Sequence, residues 1–402
     1  MKKLIFALVS VVAASVLVRA QATVTVFEGG RVIVGDGRVL ENASVVVDGT
    51  RITQVGAASS IKAPAGATRV SLTGKTLMPA IVDSHVHTST TAPELETDLR
   101  QRAHFGVSAA LSMGLDGDAT FAQRTKTTPG LARIFTAGRG ITAPEKGRTE
   151  VPYWITTPEE GRKAVQENAA KKVDIIKIWV DDRDGKFPKL TPPLYGAVID
   201  EAHKQKLRVT AHIFSLEDAK GLLKAGVDSF AHGIRDRDMD DEAVALLKAR
   251  PAFVLIPNMP DRGVAADYSW LKGHIPDGEL QKIQAAATDR PQVAATWAIQ
   301  GRNLKKMSDA GVKITVGTDG NTPWAPHVEM ADMVAAGMTP AQVLIAATRN
   351  GAEFLRIANT GTIETGKIAD LLVLDANPLT DITNTRKISA VYLRGVAVDR
   401  RP

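Results

Sequence analysis

The chain of 402 residues contains no cysteine. That excludes disulfide staples, lipid anchoring through cysteine and thiolate ligation, so any metal here must be held by nitrogen and oxygen. Long apolar runs are also missing, apart from Leu4 to Val18, which falls short of the ~20 residues that cross a bilayer. There are no blocks of Lys or Arg and no recognition-helix pattern. Of the formal charge of +6, Lys2, Lys3 and Arg19 supply three, and the +3 that remains gives no reason to invoke nucleic acid.

What is present begins with a leader. Residues 1–22, "MKKLIFALVSVVAASVLVRAQA", join a basic start to an apolar run and small residues suited to cleavage after Ala20 or Ala22. This reads as a signal peptide, with a periplasmic or secreted destination and no membrane contact after cleavage. From residue 23 to 75 short β-branched runs alternate with turns such as "GDG" and "DGT", and the same texture returns over 365–402. Short strands cannot bury themselves alone, so both ends are expected to combine into one small β-sandwich.

Between them, over 76–364, apolar runs recur near 80–86, 107–112, 132–137, 173–180, 208–214, 227–232, 253–257 and 313–318, each followed by a helical pattern. Eight strand-helix units predict an α/β fold, the (β/α)8 TIM barrel, whose chemistry sits at the C-terminal strand ends. A doubly wound sheet is the rival, but no glycine-rich dinucleotide turn follows the first of these strands.

Polar residues close those strands. In "LMPAIVDSHVHTST", Asp83, His85 and His87 alternate and so share a face. Lys177 lies in the fourth run, His212 in the fifth, His232 in the sixth, and Asp319 ends the eighth. Singly, a strand-end histidine is more often just hydrogen-bonded, a buried lysine is usually paired, and Asp in "TDG" is a good turn residue. Jointly they predict one metal site at the mouth. Asp83 is read as an orienting carboxylate or a core hydrogen-bonding group. His104 and His203 are expected in cap or surface roles, and His274 and His327 in loops with structural roles.

The segments "HVH" after "MPAIVDS", "IIKIW", "TAHIF", "FAHG", "VGTDG" and the tail "GTIETGKIADLLVLDANPLTDI" resemble the amidohydrolase superfamily, near its secreted prolidase-type and imidazolonepropionase-like branch. The resemblance implies two divalent ions, zinc by usual preference, with Lys177 bridging them as a carbon-dioxide-derived carbamate. It implies His85, His87 and Asp319 on one ion, and His212 and His232 on the other. Asp319 would shuttle the proton and His232 would help stabilise the oxyanion.

Around the mouth, Tyr153, Trp154, Trp179, Trp270 and Trp324 offer either an aromatic pocket or lid packing. Arg139 and Arg235 are candidates for a substrate carboxylate, and Asn258, Trp179 and Trp324 for other contacts. The dipeptidase-like relatives carry a tyrosine where this chain has Phe214, so the substrate is not fixed by the motif. The leading expectation is a hydrolase of an amide, in a dipeptide or N-acyl amino acid. The alternatives are a lactonase or phosphoesterase on the same site, a mononuclear deaminase or cyclic amidohydrolase, and a non-catalytic secreted binding protein. The expected partner is a small-molecule substrate, and a homo-oligomer is left open.

Overall fold

The computed structural model describes residues 24–357 and 359–401. The expected leader lies outside them. Both ends of the chain meet in one eight-stranded sheet. Its path runs Val396–Ala397, Ile388–Leu393, Leu371–Leu374, Thr76–Pro79, Val24–Ile33, Val39–Asp48, Arg51–Ala57, with Thr68–Ser71 branching off Val24–Ile33. Hydrogen bonds thus trace a single forked sheet. Thr76–Pro79, next to the first site residues in sequence, belongs to it by pairing antiparallel with Leu371–Leu374.

The central region forms two parallel sheets. One holds Ile81–Val86, Val107–Ser112 and Arg133–Thr136; the other runs Tyr153–Trp154, Ile141–Thr142, Ile176–Val180, Val209–Ile213, Ser229–Ala231, Val254–Ile256 and Lys313–Ile314. Each of the eight expected runs carries a strand, and the pairs 141–142 and 153–154 are additions that two residues of pattern could not announce. The last strand is shorter than expected, because Thr315 to Thr318 make single bonds to two neighbours instead of a ladder. Thr315 N–H donates to Leu255 O at 2.9 Å, while Ser84 N–H reaches Val316 O at 2.8 Å, joining the two sheets on one side. On the other side Asp174 N–H donates to Thr136 O at 2.8 Å.

These strands are buried on both faces, which is why they read as near-continuous apolar runs. Helices follow them with local signals intact. Pro158–Ala170 starts on a capping box between Thr157 and Glu160, and Leu216–Ala225 ends on Gly226 at φ +99°. Arg102, on the buried face of Ala92–His104 with Leu95 and Leu99, is wholly enclosed and pairs with Asp83 at 3.3 Å.

His327 departs from expectation. It lies within the helix Ala325–Ala335, not in a loop, since Pro326 suits a helix's first turn. Its Nε2 is 2.9 Å from Phe105 O and its Nδ1 3.1 Å from Thr385 Oγ1, which ties that helix to the C-terminal segment. Burial pushes its pKa down to about 4 from 6.5, so the unfolded chain takes up a proton first as pH falls. Stability is therefore lost below about pH 6.5, by about 2 kcal/mol at about pH 5 for this group. Urea midpoints should fall less between about pH 7 and pH 5 in His327→Gln than in the wild type; equal falls would contradict this.

Candidate metal centre and active site

The site is built from strand ends, and backbone hydrogen bonds set its register. His85 O accepts from both Thr318 N–H at 2.9 Å and Asp319 N–H at 2.8 Å, which folds the eighth strand's end over the first. Asp319 is held at φ +53°. One carboxylate oxygen then lies 3.1 Å from His85 Nε2 and 3.0 Å from His87 Nε2, and the other 3.3 Å from His232 Nε2. Among the described residues His85, His87 and Asp319 bring ligand-capable atoms within 4.8 Å of one another. The His212 and His232 rings sit 4.4 Å apart, and His85 and His232 5.4 Å.

Two of the imidazoles have a neighbour that can direct their proton. His85 Nδ1–H donates to Asn258 Oδ1 at 2.9 Å, leaving Nε2 as its lone-pair atom toward Asp319. His212 Nε2 lies 2.9 Å from Asp181 Oδ2, which can accept its proton, and 3.0 Å from Arg183 Nη1. Both nitrogens of His232 are buried without a hydrogen bond. Burial, with the nearby Lys177 charge, lowers His85 to about 4 and, despite the bond from Asp181, His212 to about 3; burial and Arg235 lower His232. His85, His212 and His232 are thus neutral, the form that binds metals. Burial alone would raise Asp319, but its contacts with His85, His232 and His87 hold it far below the ordinary carboxylate range.

Lys177 is fully buried on the strand Ile176–Val180. It forms no ion pair among the described residues; its Nζ lies 4.0 Å from Met113 Sδ and 5.5 Å from the Trp179 ring. Desolvation drives its pKa down to about 7, with the charges of Arg183 and Arg235 assisting and Asp319 opposing. Asp83 does not touch an imidazole. It accepts from His85 N–H at 3.3 Å, Thr318 Oγ1 at 2.8 Å and Arg102, fixing the two chain segments that carry the ligands. Burial pushes its carboxyl up to about 6.

The expected contacts divide. Asn258, at φ +46°, is spent on His85. Trp179 lies over Lys177, in a slot where a Cβ on Gly140 would come within 2.0 Å of its ring. Arg235 is near enough to Asp319 and His232 to act on their charge. Arg139 is committed elsewhere, with Nε donating to Val151 O at 2.6 Å and its guanidinium 4.0 Å over Tyr153. Trp324 packs with Phe105 and Leu271 and lines a separate 690 Å³ cavity with His104 and His274. Trp270 lies 6.4 Å from Phe105 in the same cluster, so for these two tryptophans the lid-packing alternative applies.

A profile described as the amidohydrolase family matches residues 76–398. The chain belongs to the amidohydrolase family. With it the chain is a hydrolase acting on carbon–nitrogen bonds, of a family that generally uses divalent metals. It is 26% identical to an ochratoxinase from Aspergillus niger, over 92% of this chain and 85% of that one. It is 25% identical to an imidazolonepropionase from Streptomyces coelicolor, over 84% and 86%. The solved structure of a Xaa-Pro dipeptidase with methionine in its active site superimposes with TM-score 0.76 at 25% identity, covering 93% of this chain and 99% of that one.

Sequence reasoning missed three parts of this amidohydrolase site. Arg102 had a signal: it lies three and seven residues beyond Leu99 and Leu95, on the same helix face. Asp181 and Arg183 had none beyond an acidic turn after Lys177, because which way a turn residue points is set by its backbone. Strained φ values mark the site as well, at Arg183, His232, Asn258 and Asp319. Asp181→Ala should weaken metal binding by roughly 10- to 100-fold in a chelator competition, since the acceptor beside His212 is lost. Unchanged affinity would remove that role.

Proposed function

We propose that this amidohydrolase is a binuclear metal enzyme that cleaves an amide bond in a dipeptide or an N-acyl amino acid. On this reading the eight expected strands of the two parallel sheets close into one barrel, and the terminal strands are a separate β-domain. With the leader of residues 1–22, the proposal extends to a periplasmic or secreted enzyme.

Lys177 carries the proposal. A buried lysine without an anionic partner is unstable as an ammonium, and a neutral amine can add carbon dioxide. A carbamate, formed with release of a proton to solvent, would offer two oxygens to ions that His85, His87 and Asp319, and His212 and His232, would hold. The donor set fits zinc: neutral imidazoles, one ionised carboxylate, no sulfur. Two divalent ions held there would supply a hydroxide at neutral pH and polarise the substrate carbonyl.

The chain's own groups do the rest. Asp319 is ionised and central to three imidazoles, so its carboxylate can take the proton of the attacking water and hand it to the leaving nitrogen. His232, whose two nitrogens make no hydrogen bond among the described residues, would help stabilise the oxyanion. Trp179 roofs Lys177 and keeps bulk water from it.

Metal-replete protein should contain about two divalent ions per chain. Asp319→Asn should keep most of that metal while kcat on N-acyl amino acids or dipeptides falls by about 10³-fold. One ion per chain would contradict the bridged arrangement, and unchanged kcat would remove Asp319 from the proton path.

A further inference from the structure

The segment of residues 259–290 leaves a cavity of about 980 Å³ between itself, the helix Ala325–Ala335 and the turn Ile382–Arg386. Pockets that hold small organic molecules run to roughly 300–1,000 Å³, so this one has room for an occupant. It is not the metal centre: none of His85, His87, Lys177, His212, His232 and Asp319 lines it. Much of its wall is apolar. Ile283 and Ala286 come from the helix Asp277–Ala286, and Val328 and Ala331 from Ala325–Ala335. Val264 joins them while still 50% exposed, one of four large apolar side chains so placed among the described residues.

The charges in this wall do not balance. Arg290 pairs with Asp261, and Arg262 Nε lies 3.6 Å from Asp332. Asp267 accepts from Ser269 N–H at 2.8 Å and from Ser269 Oγ at 2.9 Å. Arg386 has no such match and forms no ion pair among the described residues. Its guanidinium lies 4.9 Å over the Trp270 ring, which holds it in place. Its Nη2 reaches only His327 O, at 3.5 Å, its Nε is buried with no hydrogen bond, and its Nη1 makes none among the described residues. The Trp270 indole N–H is buried without an acceptor as well. Four cations, Arg262, Arg290, Arg386 and Lys387, against the three carboxylates leave the lining one positive charge in excess.

We propose that this cavity is a second ligand site, which binds a small amphipathic carboxylate with its head on Arg386 and its hydrocarbon body against the apolar wall. A guanidinium stacked on an indole keeps its charge and its planar edge, and such an edge matches a carboxylate with paired hydrogen bonds. One carboxylate cancels the excess charge, and the body covers the apolar surface that Val264 and its neighbours leave to water. A neutral molecule would satisfy only the second requirement. The proposal holds whichever bond the metal centre cleaves.

The probes are octanoate and its neutral counterpart octanamide, titrated into metal-loaded protein by calorimetry. Octanoate should bind at least about tenfold more tightly than octanamide, as hydrogen bonds to a charged group dictate. Arg386→Gln should erase that difference, and Arg386→Lys, which keeps the charge but lacks the planar edge, should restore only part of it. Ala331→Trp, which fills the cavity from the helix, should abolish binding of both probes. Each variant should keep the metal content and melting temperature of the wild type. Stripping the metal from protein that keeps its melting transition should leave octanoate affinity unchanged. Absence of octanoate binding at millimolar concentration, equal binding of the two probes, or a preference for octanoate that survives Arg386→Gln in folded protein overturns the proposal. So does octanoate binding that is lost with the metal, because the anion would then sit on the metal centre.

Discussion

A lysine side chain carried into the interior with no anion to meet it is the constraint around which this molecule is arranged. Ile176, Ile178 and Val180 turn one way into the apolar layer under the helices, and alternation sends Lys177 and Trp179 the other way. Desolvation lowers the amine's pKa to about 7, against the opposing pull of Asp319, so that the neutral form is accessible at neutral pH. Trp179 closes over it only because positions 114 and 140 are glycine; a Cβ at either would come within 2.4 Å of the indole. A buried amine in that state is chemically reactive, unlike a buried salt bridge.

The ligand-capable side chains are held by contacts that reach back into the fold. Asn258 and Asp181 decide which nitrogen of His85 and of His212 keeps its proton. The Asp83–Arg102 pair does the same for the backbone. Arg102 Nη2 donates to Gly320 O at 3.0 Å and to Asn321 Oδ1 at 3.2 Å while Nη1 faces Asp83, so one enclosed cation binds the strand of His85 to the turn of Asp319. Removing either partner would leave an uncompensated buried charge, a loss of roughly 3–5 kcal/mol. Glu329 adds a further layer: it accepts from Met259 N–H at 2.9 Å and so steadies the residue after Asn258.

Much of this was legible in the sequence, for identifiable reasons. Buried parallel strands read as apolar runs, so all eight central positions could be found. Residues that close such strands share one end of the fold, which is why His85, His87, Lys177, His212, His232 and Asp319 could be grouped before any coordinates. Direction was not legible. Arg139 and Trp324 sit at strand ends or just beyond, yet one stacks on Tyr153 and the other packs on Phe105, because loop side chains follow local backbone geometry and not strand alternation. Pairing was not legible either: the pattern starts the barrel region at residue 76 and does not announce that Thr76–Pro79 is a strand of the terminal sheet, paired near residue 371.

The most direct measurement is carbon-13 NMR of metal-loaded protein equilibrated with labelled bicarbonate. The account predicts a carbamate resonance of about one carbon per chain that disappears in Lys177→Met and on removal of metal. No such resonance in metal-replete, bicarbonate-equilibrated wild-type protein, or one that persists in Lys177→Met, would contradict it.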